Sequence, residues 1–255
     1  MAPVIILISL AIMILIFIFY EKPKRKIALP KNYKDLLSHH VSFYNKLNEE
    51  NKVRFEEKIK DFLGYVHIEG INTTVDDLDK LLVASSAVIP VFGFANYRYY
   101  NVNNVLLYPG TFNRDEFLAD GYEKNTLGMI GNGPMQRMMI LSKPALHYGF
   151  IEGEKHNTGI HEFVHLLDKE DGDVDGLPEA LLNRNQNAEW IELVNKNIEA
   201  ILIRQSDINP YGATNKAEFF SVASEYFFNN PELFKENHPK LYDLMIVMFQ
   251  VSPNH

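Results

Sequence analysis

Cysteine is missing from all 255 residues. Its absence excludes a disulfide scaffold, Cys-ligated zinc, an iron–sulfur cluster and thiol catalysis, so any metal must be held by His and carboxylates. It leaves the compartment open, because cytoplasmic and exported proteins can both lack the residue. Positive charge is in short supply too: 25 Lys and Arg stand against 33 Asp and Glu, a formal net charge of −8. That balance argues against a phosphate backbone as the main partner, so no direct nucleic-acid role is expected. Gly and Pro number 14 and 12, too few for a collagen-like or linker-dominated chain. What is there is 46% hydrophobic and 12% aromatic, enough for one sizeable core or two small ones.

Charge is also absent from Met1 to Tyr20, where Ile, Leu, Val and Phe dominate and Ser9 is the one interior polar group. Twenty residues at helical rise span about 30 Å, the thickness of a bilayer's hydrocarbon core. No Lys or Arg precedes the run and no Ala-x-Ala follows it, which argues against a cleaved signal peptide. No face of it is polar, which argues against a helix of a globular core. The expectation is a retained transmembrane anchor over residues 1–20. Lys22, Lys24, Arg25 and Lys26 follow it, so the positive-inside rule predicts a single-pass cell-membrane protein with its domain facing the cytoplasm. Residues 21–32, with two prolines, read as a basic linker. Glu21–Lys26 carry net +3 against the chain's −8, leaving −11 for 27–255.

Residues 33–255 read as one α+β domain. Apolar positions recur at helical spacing from Tyr33 to Gly64, and again from about Thr74 to Val88, where Asp76 and Asp77 suit a helix N-terminus and Pro90 a stop. Tyr97–Tyr108 is aromatic and β-branched with Asn interruptions, hence strand and turn. Gly121–Pro134 is Gly-rich and loop-like. Arg137–Leu146 reads as a strand until Pro144. Beyond Asn157 helices dominate, with turns at Gly172–Pro178 and Asn209–Gly212.

The segment that carries chemistry is His161-Glu162-Phe163-Val164-His165. On a helix, residues four apart share a face, so His161 and His165 can converge on one ion. Two neutral imidazoles fill two corners of a zinc tetrahedron. Glu162 can then act as general base toward water at an open corner, generating the nucleophile for peptide-bond attack. Asn157 or Thr158 can cap such a helix, and Phe163, Val164, Leu166 and Leu167 give it an apolar face to bury. The same spacing also fits a polar face whose histidines bind nothing.

Three candidates exist for a third ligand. Asp171 lies six residues beyond His165, the spacing of the HExxHxxGxxH/D class, but the Gly that turns the chain back in that class is replaced by Asp168. Asp168, one turn past His165, is better placed to orient a histidine than to bind metal. The third is a later helix, in which Glu218 and Glu225 share a face among Phe219, Phe220, Val222, Ala223, Phe227 and Phe228. Carboxylates in that setting are costly without a compensating partner. Glu218 also lies three residues past Asn215, where it could complete a helix cap instead.

HEFVHLLDKEDGDVDGLP, then Trp190, then YGATNKAEFFSVASEYFFNNPELF and HPKLYDLM, resemble the Mlc titration factor A (MtfA) family of zinc-dependent peptidases. Weaker similarity runs through IPVFGF and NVLLYPGTF. The Tyr-Gly-x-Thr-Asn-x-Ala-Glu-Phe-Phe pattern also resembles the catalytic domain of anthrax lethal factor. The resemblance implies a mainly helical, zincin-like metallopeptidase domain with a small sheet. It implies one zinc on His161, His165 and Glu218, Glu162 as general base, and Tyr211 as a transition-state hydrogen-bond donor. Glu225 and Asp168 are expected to orient the histidines. The segment GNGPMQRMMILSKPALHYGF departs from the family pattern ahead of the HExxH helix, which bears on substrate preference. The anchor lies outside the family's usual soluble form. The implied activity is hydrolysis of short or unstructured peptides, with an aminopeptidase as the family's own precedent. The rival is a zinc-containing module that sequesters a regulatory protein, the behaviour from which the family takes its name.

Overall fold

A computed structural model describes residues 25–110, 112–113, 125–126, 128–130, 137–178 and 181–251. The helical pattern expected from Tyr33 resolves into three helices, α1 (Tyr33–His40), α2 (Ser42–Lys46) and α3 (Glu49–Tyr65). The breaks fall at Val41 and at Leu47–Asn48, where the Asn48 side chain accepts from the Asn51 N–H at 2.9 Å and caps α3. Strand β1 (His67–Gly70) follows, then α4 (Asp77–Val88). Asp76 and Asp79 form a reciprocal capping box at the start of α4, satisfying two otherwise orphaned donors.

Five more strands complete a small sheet and a separate pair: β2 (Asn104–Tyr108), β3 (Phe112–Asn113), β4 (Asn125–Thr126), β5 (Gly128–Ile130) and β6 (Met138–Ser142). The sheet order is β1-β2-β6-β5; β1, β2 and β6 run parallel, and β5 pairs antiparallel with β6 at the edge. Strands β3 and β4 pair only with each other among the described residues. Period-2 alternation splits the sheet's side chains between two faces. Val105, Leu107, Met139 and Leu141 join the main core, while Leu106, Tyr108, Met129 and Ile140 cluster on the other side.

The second half is helical: α5 (Lys143–Tyr148), α6 (Thr158–Asp168), α7 (Arg184–Leu202), α8 (Lys216–Asn229), α9 (Pro231–Asn237) and α10 (Pro239–Met248). Short 3₁₀ turns occupy Lys169–Asp171 and Pro210–Ala213. The core is continuous between α4, α6 and α8, with Leu81, Ala84, Phe163, Val164, Phe219 and Phe220 all buried. Trp190 of α7 is fully buried against Phe219 and Phe220, and its indole N–H donates to the Gly176 carbonyl at 2.7 Å.

The α+β expectation stands, mainly helical with a four-stranded sheet. Three expectations change. The strand ends at Ser142, which caps α5, so Pro144 sits in a helix's first turn, where its missing N–H costs nothing. Part of the Gly121–Pro134 stretch is strand, β4 and β5, and the rest of it lies outside the described residues. The anchor and the single-pass cell-membrane placement are corrected. No helix among the described residues is long and apolar enough to cross a membrane. The longest, α7, carries Arg184, Glu189, Glu192, Lys196 and Glu199 along its length, charges that hydrocarbon does not tolerate. Residues 1–20, on which the anchor was placed, lie outside the described residues. The described end of the basic linker is docked: the Arg25 N–H donates to the Gly64 carbonyl at 2.9 Å, its guanidinium to the Val66 carbonyl at 2.8 Å, and Ile27 and Leu29 pack on the core.

Candidate metal centre

Helix α6 starts where the Asn157 side chain accepts from the Ile160 N–H at 3.0 Å. Its apolar residues Ile160, Phe163, Val164 and Leu167 are buried in the core, which turns His161 and His165 toward α8. Helix α8 is capped by Asn215, whose side chain accepts from the Glu218 N–H at 2.9 Å. The Glu218 carboxylate is not used in that cap. It reaches across to both histidines, 3.0 Å from His161 Nε2 and 3.3 Å from His165 Nε2. The two Nε2 atoms are 3.1 Å apart.

Each imidazole is oriented from behind by the same face of α8. The Glu225 carboxylate accepts from His161 Nδ1–H at 2.7 Å, and its second oxygen accepts from the Asn157 N–H at 2.6 Å. Ser221 Oγ lies 3.2 Å from His165 Nδ1. With Nδ1 committed to a carboxylate, His161 turns Nε2 to the centre, where a metal would take the place of the proton shared with Glu218. His161 Nε2, His165 Nε2 and a Glu218 carboxylate oxygen thus meet at separations of 3.0–3.3 Å. Tetrahedral ligands about 2.0–2.1 Å from a zinc ion lie about 3.3 Å from one another, so the three donors fit a metal of that kind. Together they form a His161–His165–Glu218 group able to hold an ion.

The electrostatics agree. Burial by itself disfavours a cationic His161, yet hydrogen bonds to Glu218 and Glu225 more than reverse this and lift it to about 10. Burial likewise acts to raise Glu218, but the two histidines hold it far below the ordinary carboxylate range. The carboxylates of Glu218 and Glu225 thus favour positive charge at His161. Glu162 differs: burial raises it, and the nearby histidines offset this only in part. It is 6% exposed and stands against Gly128 of β5.

Tyr211, in the 3₁₀ turn, is 46% exposed and its ring centre lies 6.0 Å from that of His161. So His161, Glu162, His165, Tyr211, Glu218 and Glu225 are brought together. Asp168 differs from expectation. Its Oδ2 accepts from the Gly176 N–H at 2.8 Å, while the partners of the imidazole Nδ1 atoms are Glu225 and Ser221. Gly176 has φ +74°, and a Cβ there would stand 2.3 Å from the Lys216 backbone. Asp168 therefore clasps the 169–176 loop against the start of α8. The Asp171 backbone belongs to the 3₁₀ turn after α6, and its side chain lies outside the described atoms. Ser221 was missed by sequence reasoning, although its position between Glu218 and Glu225 on one helical face was available as a signal.

A mainly helical domain that aims two imidazoles and one carboxylate from two packed helices at a single point has a site that fits a metal ion, the mark of a metalloprotein. The assignment then becomes specific: the chain belongs to the glucose-regulated metallo-peptidase M90 family, whose model matches residues 20–250. Among its relatives is an uncharacterized protein of Synechocystis sp., 28% identical over 244 residues, covering 91% of this chain and 88% of the relative. Mlc titration factor A of Cronobacter sakazakii is 28% identical over 221 residues, 80% of each chain. Mlc titration factor A of Escherichia fergusonii is 26% identical over 227 residues, 84% of each chain. The resemblance to the Mlc titration factor A family is thereby borne out.

Proposed function

We propose that this chain is a zinc-dependent peptidase in which His161, His165 and Glu218 hold one zinc ion. The observation that carries the proposal is the convergence of His161 Nε2, His165 Nε2 and Glu218 Oε2 within 3.3 Å, with a buried carboxyl one residue after the first histidine. Zinc held there supplies Lewis acidity, lowering the pKa of water and polarising a carbonyl. Glu162 takes the proton from the attacking water and later delivers it to the leaving amine. Tyr211, exposed beside His161, donates its phenol hydrogen to the oxyanion of the tetrahedral intermediate. Strand β5 is at the sheet edge among the described residues and next to Glu162, a place where an extended peptide could add as a further strand, which supports an unstructured substrate. The family resemblance adds an aminopeptidase reading, tested by comparing peptides with free and blocked N-termini.

The rival is a zinc-holding module that sequesters a regulatory protein, supported by the word titration in the names of two relatives. Two substitutions separate them. Glu162→Gln keeps the side-chain size but cannot accept a proton, so it should retain zinc and lose about 10²–10⁴ in rate. Tyr211→Phe should lower kcat by about 10²–10³ with KM little changed. A wild-type chain that holds zinc, cleaves no peptide and captures a protein partner equally well in both variants would establish the binding module instead.

A further inference from the structure

The Gly121–Pro134 stretch contains one residue that stands against the site. Gly128 opens β5, and a Cβ built on it would lie 2.5 Å from Glu162 Oε1, 2.6 Å from its Cγ and 2.7 Å from its Cδ. The three nearest atoms all belong to one side chain. Gly128 does not adopt a positive φ, so backbone freedom is not what the position requires. Glycine weakens a strand and is found there where another group must approach closely. The close group here is the carboxyl end of Glu162.

Ordinary van der Waals contact begins near 3.4 Å. Any larger residue at 128 therefore forces either the carboxyl or the strand to withdraw by about 1 Å. The strand is held: Gly128, Met129 and Ile130 are in register with Leu141, Ile140 and Met139 of β6, which pairs along its length with β2. Met129 is also packed against Ile140, Leu106 and Tyr108. The carboxyl is the softer partner, at the end of a side chain with three rotatable bonds.

We infer that Gly128 is a positioning residue: its bare backbone face is the seat that lets the Glu162 carboxylate stand beside His161 and His165. The inference rests on Glu162 acting as the general base proposed above. Misplacing a reacting group by 1 Å costs about 10² in rate, so a single methyl at residue 128 should disable the base from a different element of the fold.

The test uses the full chain as wild type, Gly128→Ala, Glu162→Gln and the double variant, with crystal structures, zinc content and steady-state kinetics on an unstructured peptide. Gly128→Ala should keep wild-type zinc content and KM, lose about 10² in kcat, and show the Glu162 carboxyl displaced by about 1 Å. Added to Glu162→Gln it should cost no further rate, because no base remains to misplace. An undisplaced Glu162 with a shifted β5, an unchanged kcat, a raised KM, or losses that multiply in the double variant would each overturn the inference. If the wild type hydrolyses nothing, the peptidase proposal fails by itself, and the position of Glu162 in the Gly128→Ala crystal structure still decides the seat. Should Gly128→Ala lower Tm, Glu162→Ala in the same chain should restore it by removing the atoms that are met. A Tm that stays low in that pair would place the clash elsewhere and overturn the inference.

Discussion

His161 and His165 differ in what stands behind them. The first donates to a carboxylate, Glu225, at 2.7 Å; the second meets the Ser221 hydroxyl, at 3.2 Å. A charged acceptor makes the stronger bond and raises the basicity of the ring more. Loss of an outer partner typically lowers metal affinity by about 10–100-fold. Glu225→Gln should fall near the upper end of that range and Ser221→Ala near the lower, measured by competition with a chelator of known affinity. Equal losses would mean that the two partners serve orientation alone. The residues also show what was legible. His161, Glu162 and His165 are contiguous and announce themselves by spacing. Glu225 could be suspected because a carboxylate amid Phe227 and Phe228 needs a partner. Ser221 offered only its place between Glu218 and Glu225 on one helical face, a weak signal because a serine in an apolar helix satisfies itself on its own backbone as readily as on a histidine.

At the scale of elements, the segment leading into the Tyr211 turn is tied down by Asp207. That carboxylate accepts from Lys155 Nζ at 2.7 Å, Tyr226 OH at 2.6 Å, His238 Nε2 at 2.7 Å and Asn237 Nδ2 at 2.9 Å. Burial acts to raise its pKa, but these bonds outweigh it and hold Asp207 well below the ordinary carboxylate range. A group depressed in the folded state stabilises the fold above its unfolded value, about 3.9, and loses that contribution as pH falls through the folded value. Wild-type Tm should therefore drop as pH is lowered through 4, beyond any drop from release of metal. Asp207→Asn should lower Tm at pH 7 and flatten the acid limb, read by calorimetry across pH 2–7. Parallel curves for the two proteins would show that Asp207 carries no such linkage. Elements were unevenly legible from sequence. Helices α3, α4, α6 and α8 follow from apolar spacing and Asn or Asp caps. Strand β5 does not, because its Gly128 is there to make room for Glu162, a contact made across 34 residues of chain.

Across the whole molecule, the site depends on a long-range meeting. Glu218 follows His165 by 53 residues, and between them lie the 169–176 loop and all of α7. The loop is clasped by Asp168 and the Trp190 indole through Gly176, which abuts the first turn of α8. Spacing offered both Asp171 and Glu218 for the third ligand; Asp168 in place of the turning Gly counted against the first, the apolar setting of the later helix favoured the second, and the resemblance implied Glu218; the clasp supplies the physical reason why α8 reaches the histidines. The membrane placement rested on the length of the uncharged run over residues 1–20 and on the Lys and Arg that follow it, and no helix among the described residues is long and apolar enough to support it. The central claim is that His161, His165 and Glu218 hold one zinc ion, and metal analysis of purified full chains tests it most directly. Wild type and Asp171→Ala should each carry about one zinc per chain, and Glu218→Ala should carry almost none. Zinc retained by Glu218→Ala and released by Asp171→Ala would contradict the account.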